Sequence, residues 1–212
     1  MRTPVRTTNH RRVLCVFPAY APAFGTFSHA FRLVGAKAFM PPQGLLLIAN
    51  YLPSTWAVRF IDENMQRAQQ ADFEWADAVF VTGMHIQAAE IHDVCRRANA
   101  CGKPTALGGP SVSAAPEKYP DYDYLHIGEL GAATNFLIAR IDATIDAPPR
   151  QIRYASAKRL PLTKCVLLLC TRAANDGSVG VKGKRRKQKP TSRCGPNSVS
   201  RCGLLRRLIC VI

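Results

Sequence analysis

The stretch Val13-Leu14-Cys15-Val16-Phe17, closed by Pro18, decides the fold. An apolar run without polar alternation describes a strand buried on both faces, as in a parallel sheet covered by helices on each side. Proline ends such a run because it has no amide hydrogen for the ladder. The pattern recurs downstream. Ala57-Val58-Arg59-Phe60-Ile61 reads as a second strand with Asp62-Glu63-Asn64 at its carboxyl end, and Ala78 to Thr82 as a third, closed by Gly83. Pro104 to Leu107 reads as a fourth, running into Gly108-Gly109-Pro110, and Tyr124 to Ile127 as a fifth, followed by Gly128-Glu129.

Helical periodicity fills the intervals. Leu45, Ile48, Ala49 and Leu52 recur at helical spacing behind Pro41-Pro42, and Pro53 ends the pattern. Gln87 to Ala100 sets Ile91, Val94, Cys95 and Ala98 on one face, with Cys101-Gly102 as a stop. Leu130, Thr134, Leu137, Ile138 and Ile141 form the stripe of a last helix. About five strands alternating with helices predict an α/β fold. The expected architecture is an open, doubly wound parallel sheet, Rossmann-like and in the flavodoxin-like order, because right-handed crossovers leave few alternatives.

The net charge of +15 is not spread over this pattern. Residues 1–149 hold 13 basic and 13 acidic groups, whereas residues 150–212 hold 16 basic groups against Asp176 alone. Two compositions are joined near Pro148-Pro149. The expected organisation is an arm over 1–10, the α/β domain over 11–147, a linker over 148–163 and a basic tail of low order over 164–212. The amino-terminal residues are basic but lack the apolar core of a secretory signal, and no apolar run approaches the roughly 20 residues that cross a bilayer. A cytoplasmic protein with reduced thiols and no transmembrane segment is expected.

In an open parallel sheet the ligand crevice lies beyond the carboxyl ends of the strands. The residues to watch are therefore Pro18, Ala19 and Tyr20; Asp62, Glu63 and Asn64; Gly83, Met84 and His85; Gly108, Gly109 and Pro110; and Gly128 with Glu129. Glycine lets backbone approach a large ligand closely, although a glycine also simply ends a strand in a turn. Several known chemistries are absent. No G-x-G-x-x-G follows the first strand, no G-x-x-x-x-G-K-[ST] occurs, and no acidic pair follows the first strand as a phosphoacceptor site would need.

Pro41-Pro42-Gln43-Gly44-Leu45-Leu46 leads to Tyr51-Leu52-Pro53, then to Phe60-Ile61-Asp62-Glu63-Asn64, to Gly83-Met84 with Gln87, to Gly108-Gly109-Pro110 and to Gly128-Glu129. In this order and spacing, over about residues 11–145, the sequence resembles the amino-terminal cobalamin-binding domain of cobalamin-dependent radical S-adenosylmethionine enzymes. The resemblance implies a Rossmann-like module that holds cobalamin against the carboxyl edge of its sheet. In full-length members a barrel with an iron–sulfur cluster and S-adenosylmethionine follows, and methyl transfer is common, often onto lipids or secondary metabolites. Carried over, the loops at Pro18–Tyr20, Gly83–His85, Gly108–Pro110 and Gly128-Glu129 surround the cobalamin and its nucleotide tail, and Asp62-Glu63-Asn64 shapes the crevice edge. A turn or capping carboxylate explains Asp62 equally well.

Another class of cobalamin proteins supplies an axial histidine from Asp-x-His-x-x-Gly, and none of His10, His29, His85, His92 or His126 stands in that pattern. No histidine ligand from that motif, no catalytic residue and no protein metal ligand is expected. His85, beside Gly83, reads first as an ordinary loop histidine.

The chain departs from the family in lacking C-x-x-x-C-x-x-C, the cysteine triplet that holds the cluster. Alone, the chain is expected to be a cofactor-holding module without catalysis, with the cluster-bearing barrel missing or supplied in trans by another chain. The resemblance stops after Lys164. The text beyond is rich in Arg and Cys and almost free of acid, as translation in a shifted frame produces, so an interruption near codon 164 is expected. The alternative function is a flavodoxin-like small-ligand or interaction module with a tail that binds nucleic acid or anionic surfaces. Lys182 to Lys189 would serve through non-specific charge, because no aromatic residue for base stacking follows Tyr154.

Overall fold

The computed structural model describes residues 9–21, 42–144 and 151–155. The tail over 164–212, the Pro148-Pro149 junction and His29 lie outside them. Strands β1 (Arg12–Phe17), β2 (Ala57–Asp62), β3 (Ala78–Thr82), β4 (Thr105–Gly108), β5 (Tyr124–Ile127) and β6 (Ile152–Ala155) form one sheet in the order β2-β1-β3-β4-β5-β6. All pairs are parallel. The first five strands stand in the expected flavodoxin-like order. Helices α1 (Gln43–Tyr51), α2 (Gln70–Trp75), α3 (Ala88–Ala100), α4 (Pro110–Ala114) and α5 (Ala132–Thr144) connect them.

The decisive stretch divides its side chains between two cores, because successive residues of a strand face opposite ways. Leu14 and Val16 pack with Phe73 of α2 and Ile91, Val94 and Cys95 of α3. Val13, Cys15 and Phe17 pack with Leu45 and Tyr51 of α1 and Leu137, Ile138 and Ile141 of α5. Both faces of β1 are dry, which is why its sequence shows no alternation.

The sheet has six strands, one more than about five, and β6 falls within residues 148–163, the stretch expected as linker. An edge strand has one neighbour and half-exposed faces, so Ile152-Arg153-Tyr154-Ala155 alternates instead of running apolar. Four residues behind two prolines carry too little signal to stand out. Two short helices also escape periodicity. α2 starts where Asp72 accepts the Gln69 backbone N–H at 2.9 Å, and α4 is a single turn behind Gly109. Gly102 takes φ +64° behind α3, as the Cys101-Gly102 stop requires.

Candidate functional site at the carboxyl edge

On the α1/α5 side, the carboxyl ends of β1, β3, β4 and β5 open into a cavity of about 520 Å³. It lies at the point where the chain order reverses between β1 and β3, the usual crevice of this fold. Phe17, Phe80 and Ala106 come from the strands, Leu45 and Ile48 from α1, and Leu137 from α5. Alternation along the strands turns these side chains away from the α3 core and leaves an apolar wall.

Of the residues singled out in the sequence, Tyr20, Gly83, Met84, Gly108, Gly109, Pro110, Gly128 and Glu129 line this cavity. Gly109 takes φ +100°, and a Cβ there would collide with Thr82 Oγ1. At Gly83 a Cβ would stand 2.7 Å from Ile91 Cδ1. Gly108 has ordinary space, with a Cβ meeting only His126 Cβ at 3.8 Å. Gly128 has φ +85°, and its N–H donates to Ser113 Oγ at 2.9 Å. Two of these glycines are thus demanded by packing, while Gly108 keeps backbone bare beside the cavity.

Pro18, Ala19, Asp62, Glu63, Asn64 and His85 are not among the lining residues. Most of them brace the loops that are. Asp62 Oδ1 accepts the Asn64 backbone N–H at 2.9 Å and its amide at 2.7 Å, the turn carboxylate of the plainer reading. Asn64 Oδ1 accepts the Tyr20 N–H at 2.8 Å, which seats Tyr20 at the cavity with its ring edge-on to Phe17. Glu63 Oε1 takes the Ala68 N–H at 3.1 Å and Arg97 Nη2 at 2.8 Å. His85 is exposed, with Nδ1 3.1 Å from Ser111 Oγ, and Ser111 is joined in turn to the Tyr119 hydroxyl.

The sequence reading missed the α1 side of the cavity and His126. Gln43, Gly44 and Leu45 stand in the motif that carried the family resemblance, and that motif was the available signal. His126 is 8% exposed, and its Nε2 lies 2.9 Å from Thr134 Oγ1, which also accepts the Gly131 N–H. Burial pushes the His126 imidazole below its usual range, opposed by backbone hydrogen bonds and the charge of Glu129. It therefore stands neutral in the wall. Burial likewise holds Cys95 as a thiol, pushed up to about 11.

No helix among the described residues is long and apolar enough to cross a membrane. No family model matches the chain, and no solved structure does. Over 107 residues, 50% of the chain, it is 33% identical to an uncharacterized methyltransferase of Synechocystis sp., covering 20% of that protein. Over 154 residues, 72% of the chain, it is 56% identical to the hopanoid C-2 methylase of Rhodopseudomonas palustris, covering 29% of that protein. The chain spans less than a third of the length of these curated relatives, and what it is similar to is in both cases part of a protein named for methyl transfer.

Proposed function

We propose that this chain is the cobalamin-binding module of a methyl-transferring protein of the radical S-adenosylmethionine type. The observation that carries the reading is the cavity at the carboxyl edge, walled by carbon and roofed by backbone at Gly108 and Gly109. Its volume of about 520 Å³ suits a nucleotide base rather than a whole corrinoid. The reading puts the benzimidazole of the nucleotide tail inside and the corrin across the loops at the mouth. Cobalamin, when bound, supplies a cobalt centre able to carry a methyl group. The chain's part is to bind and orient. Phe17, Leu45, Ile48 and Leu137 would exclude water from the base, Tyr20 and Met84 would edge the entrance, and Gly108 and Gly109 would let backbone approach. The cluster, S-adenosylmethionine and the barrel belong to the remainder of such a protein, on this chain or in trans. The name of the R. palustris relative suggests a hopanoid lipid as methyl acceptor.

The test is retention of hydroxocobalamin by the full chain through gel filtration, followed by corrin absorbance. Gly108→Trp places an indole in the cavity and should abolish retention, while Gly108→Ala, which meets only ordinary contacts, should keep it. A parent chain that retains no corrinoid would reduce the likeness to a shared fold. Attention would then turn to the small-ligand reading and to anionic partners of the basic tail.

A further inference from the structure

Resting on the cobalamin reading above, we infer that His85 carries its hydrogen on Nε2 and donates it to an oxygen acceptor of the bound corrinoid. His85 follows Met84 and Ser111 follows Pro110, and both Met84 and Pro110 line the cavity. The pair therefore stands just behind the rim, where the loops after β3 and β4 meet. The imidazole is exposed, whereas Ser111 and Tyr119 are fully buried. His85 Nδ1 lies 3.1 Å from Ser111 Oγ, and Ser111 Oγ is joined to the Tyr119 hydroxyl.

These two contacts hold two hydrogens, one each. The hydroxyls of Tyr119 and Ser111 already supply them, Tyr119 donating to Ser111 and Ser111 donating to Nδ1. A hydrogen on Nδ1 would be a third, and a buried hydroxyl would then lose its acceptor at the full desolvation cost of that group. The neutral imidazole is therefore set with its hydrogen on Nε2. Nε2 has no hydrogen-bond partner among the described residues. Holding the two loops together does not need the imidazole, because the Ser111 N–H already donates to the Gly83 carbonyl at 3.2 Å. A corrinoid lying across these loops brings amide carbonyls on its ring and phosphate oxygens on its nucleotide, and either accepts from an imidazole N–H.

The experiment sets two variants of the full chain against each other. Asparagine offers a polar group where Nδ1 stands and glutamine one where Nε2 stands. His85→Asn thus keeps the link to Ser111 and loses the donor, while His85→Gln does the opposite. In equilibrium dialysis against hydroxocobalamin, read by corrin absorbance, His85→Asn should bind about threefold to tenfold more weakly than the parent, the worth of one hydrogen bond. His85→Gln should stay within about twofold of the parent. Any result in which His85→Gln binds no better than His85→Asn would overturn the donor role. Cobinamide, which keeps the corrin amides and lacks the nucleotide, locates the acceptor: the same gap between the variants places it on the corrin, and loss of the gap places it on the phosphate. Nitrogen-15 spectra of the histidine-labelled chain at about pH 8 should show the His85 hydrogen on Nε2, the signal being assigned by its absence from His85→Gln. A hydrogen on Nδ1 would overturn the assignment. A parent chain that binds no corrinoid would sink the cobalamin reading and the contact with it, while the nitrogen spectrum would still decide the tautomer.

Discussion

The buried amide of Gln87 donates to the Pro18 carbonyl at 2.6 Å and accepts the Met84 N–H at 3.0 Å. One side chain at the foot of α3 thus ties the loop after β1 to the loop after β3, on the two sides of the switch point. Gln87→Leu keeps approximate volume but removes the partner of the Met84 N–H and leaves the Pro18 carbonyl only the longer 3.4 Å bond from the Asn64 amide. It should cost about 1–3 kcal/mol of stability, read from the urea midpoint at unchanged slope. A loss within about 0.5 kcal/mol, the range of an ordinary surface substitution, would mean that the loops hold each other without it.

Gly109 and Gly44 both line the cavity and should respond oppositely to alanine. Gly109 sits at φ +100° against Thr82 Oγ1, so Gly109→Ala should destabilise by about 1–3 kcal/mol. Gly44 lies inside α1 with open space around its absent Cβ, so Gly44→Ala should stabilise by about 0.5–1 kcal/mol. Thermal melts of the pair side by side check both signs.

How much was legible depended on burial. The central strands could be read because both faces are covered, which writes continuous apolar text such as Val13 to Phe17 and Ala78 to Val81. α3 could be read because its one buried face repeats Ile91, Val94, Cys95 and Ala98. β6 could not: β2, the other edge strand, still carries a mostly apolar run of six residues, whereas β6 has four alternating residues behind two prolines, too few to show a pattern. At the site, glycines after β3, β4 and β5 located the cavity mouth because backbone closeness is recorded in residue type. The bracing role of Asn64 and Gln87 was hidden, because a carboxamide on a distant loop carries no mark of the backbone group it holds. His126 was hidden for the same reason, its partner Thr134 lying eight residues away across a turn.

β6 makes residues 151–155 part of the domain. The Ile152 N–H donates to the Asp123 carbonyl at 2.8 Å, and the Gln151 amide reaches the Tyr119 carbonyl at 2.8 Å. Ile152 and Tyr154 pack against the α5-side core. A chain ending at residue 149 should therefore lose about 1–3 kcal/mol relative to one ending at 163, with β5 as a bare edge prone to association. Equal melting temperatures and equal monomer fractions for the two lengths would show β6 to be dispensable.

Arg97 makes the second brace of the crevice edge. Its guanidinium is 2.8 Å from Glu63, whose side chain is only 6% exposed, and its Nε is 2.9 Å from Asp93. Removing one partner of a poorly solvated pair leaves the other charge stranded. Arg97→Ala should cost about 3 kcal/mol, and Glu63→Gln in the same background should recover part of it. A double-mutant cycle with no coupling between the two positions would contradict this.

His126 sets the pH response. Burial holds its folded-state pKa below the ordinary 6.5, so the native chain keeps the imidazole neutral where the unfolded chain takes up a proton. The unfolded state then binds more protons, and stability rises with pH. The full contribution is present above about pH 6.5 and is lost as pH falls from there toward the folded-state pKa, with a limiting slope of about 1.4 kcal/mol per pH unit. His126→Gln keeps a polar partner for Thr134 but does not titrate. Urea midpoints taken between about pH 7.5 and about pH 5.5 should therefore fall more steeply for the parent than for the variant. Parallel curves would mean that the native imidazole protonates in place, and the cavity wall would then carry a charge in acid.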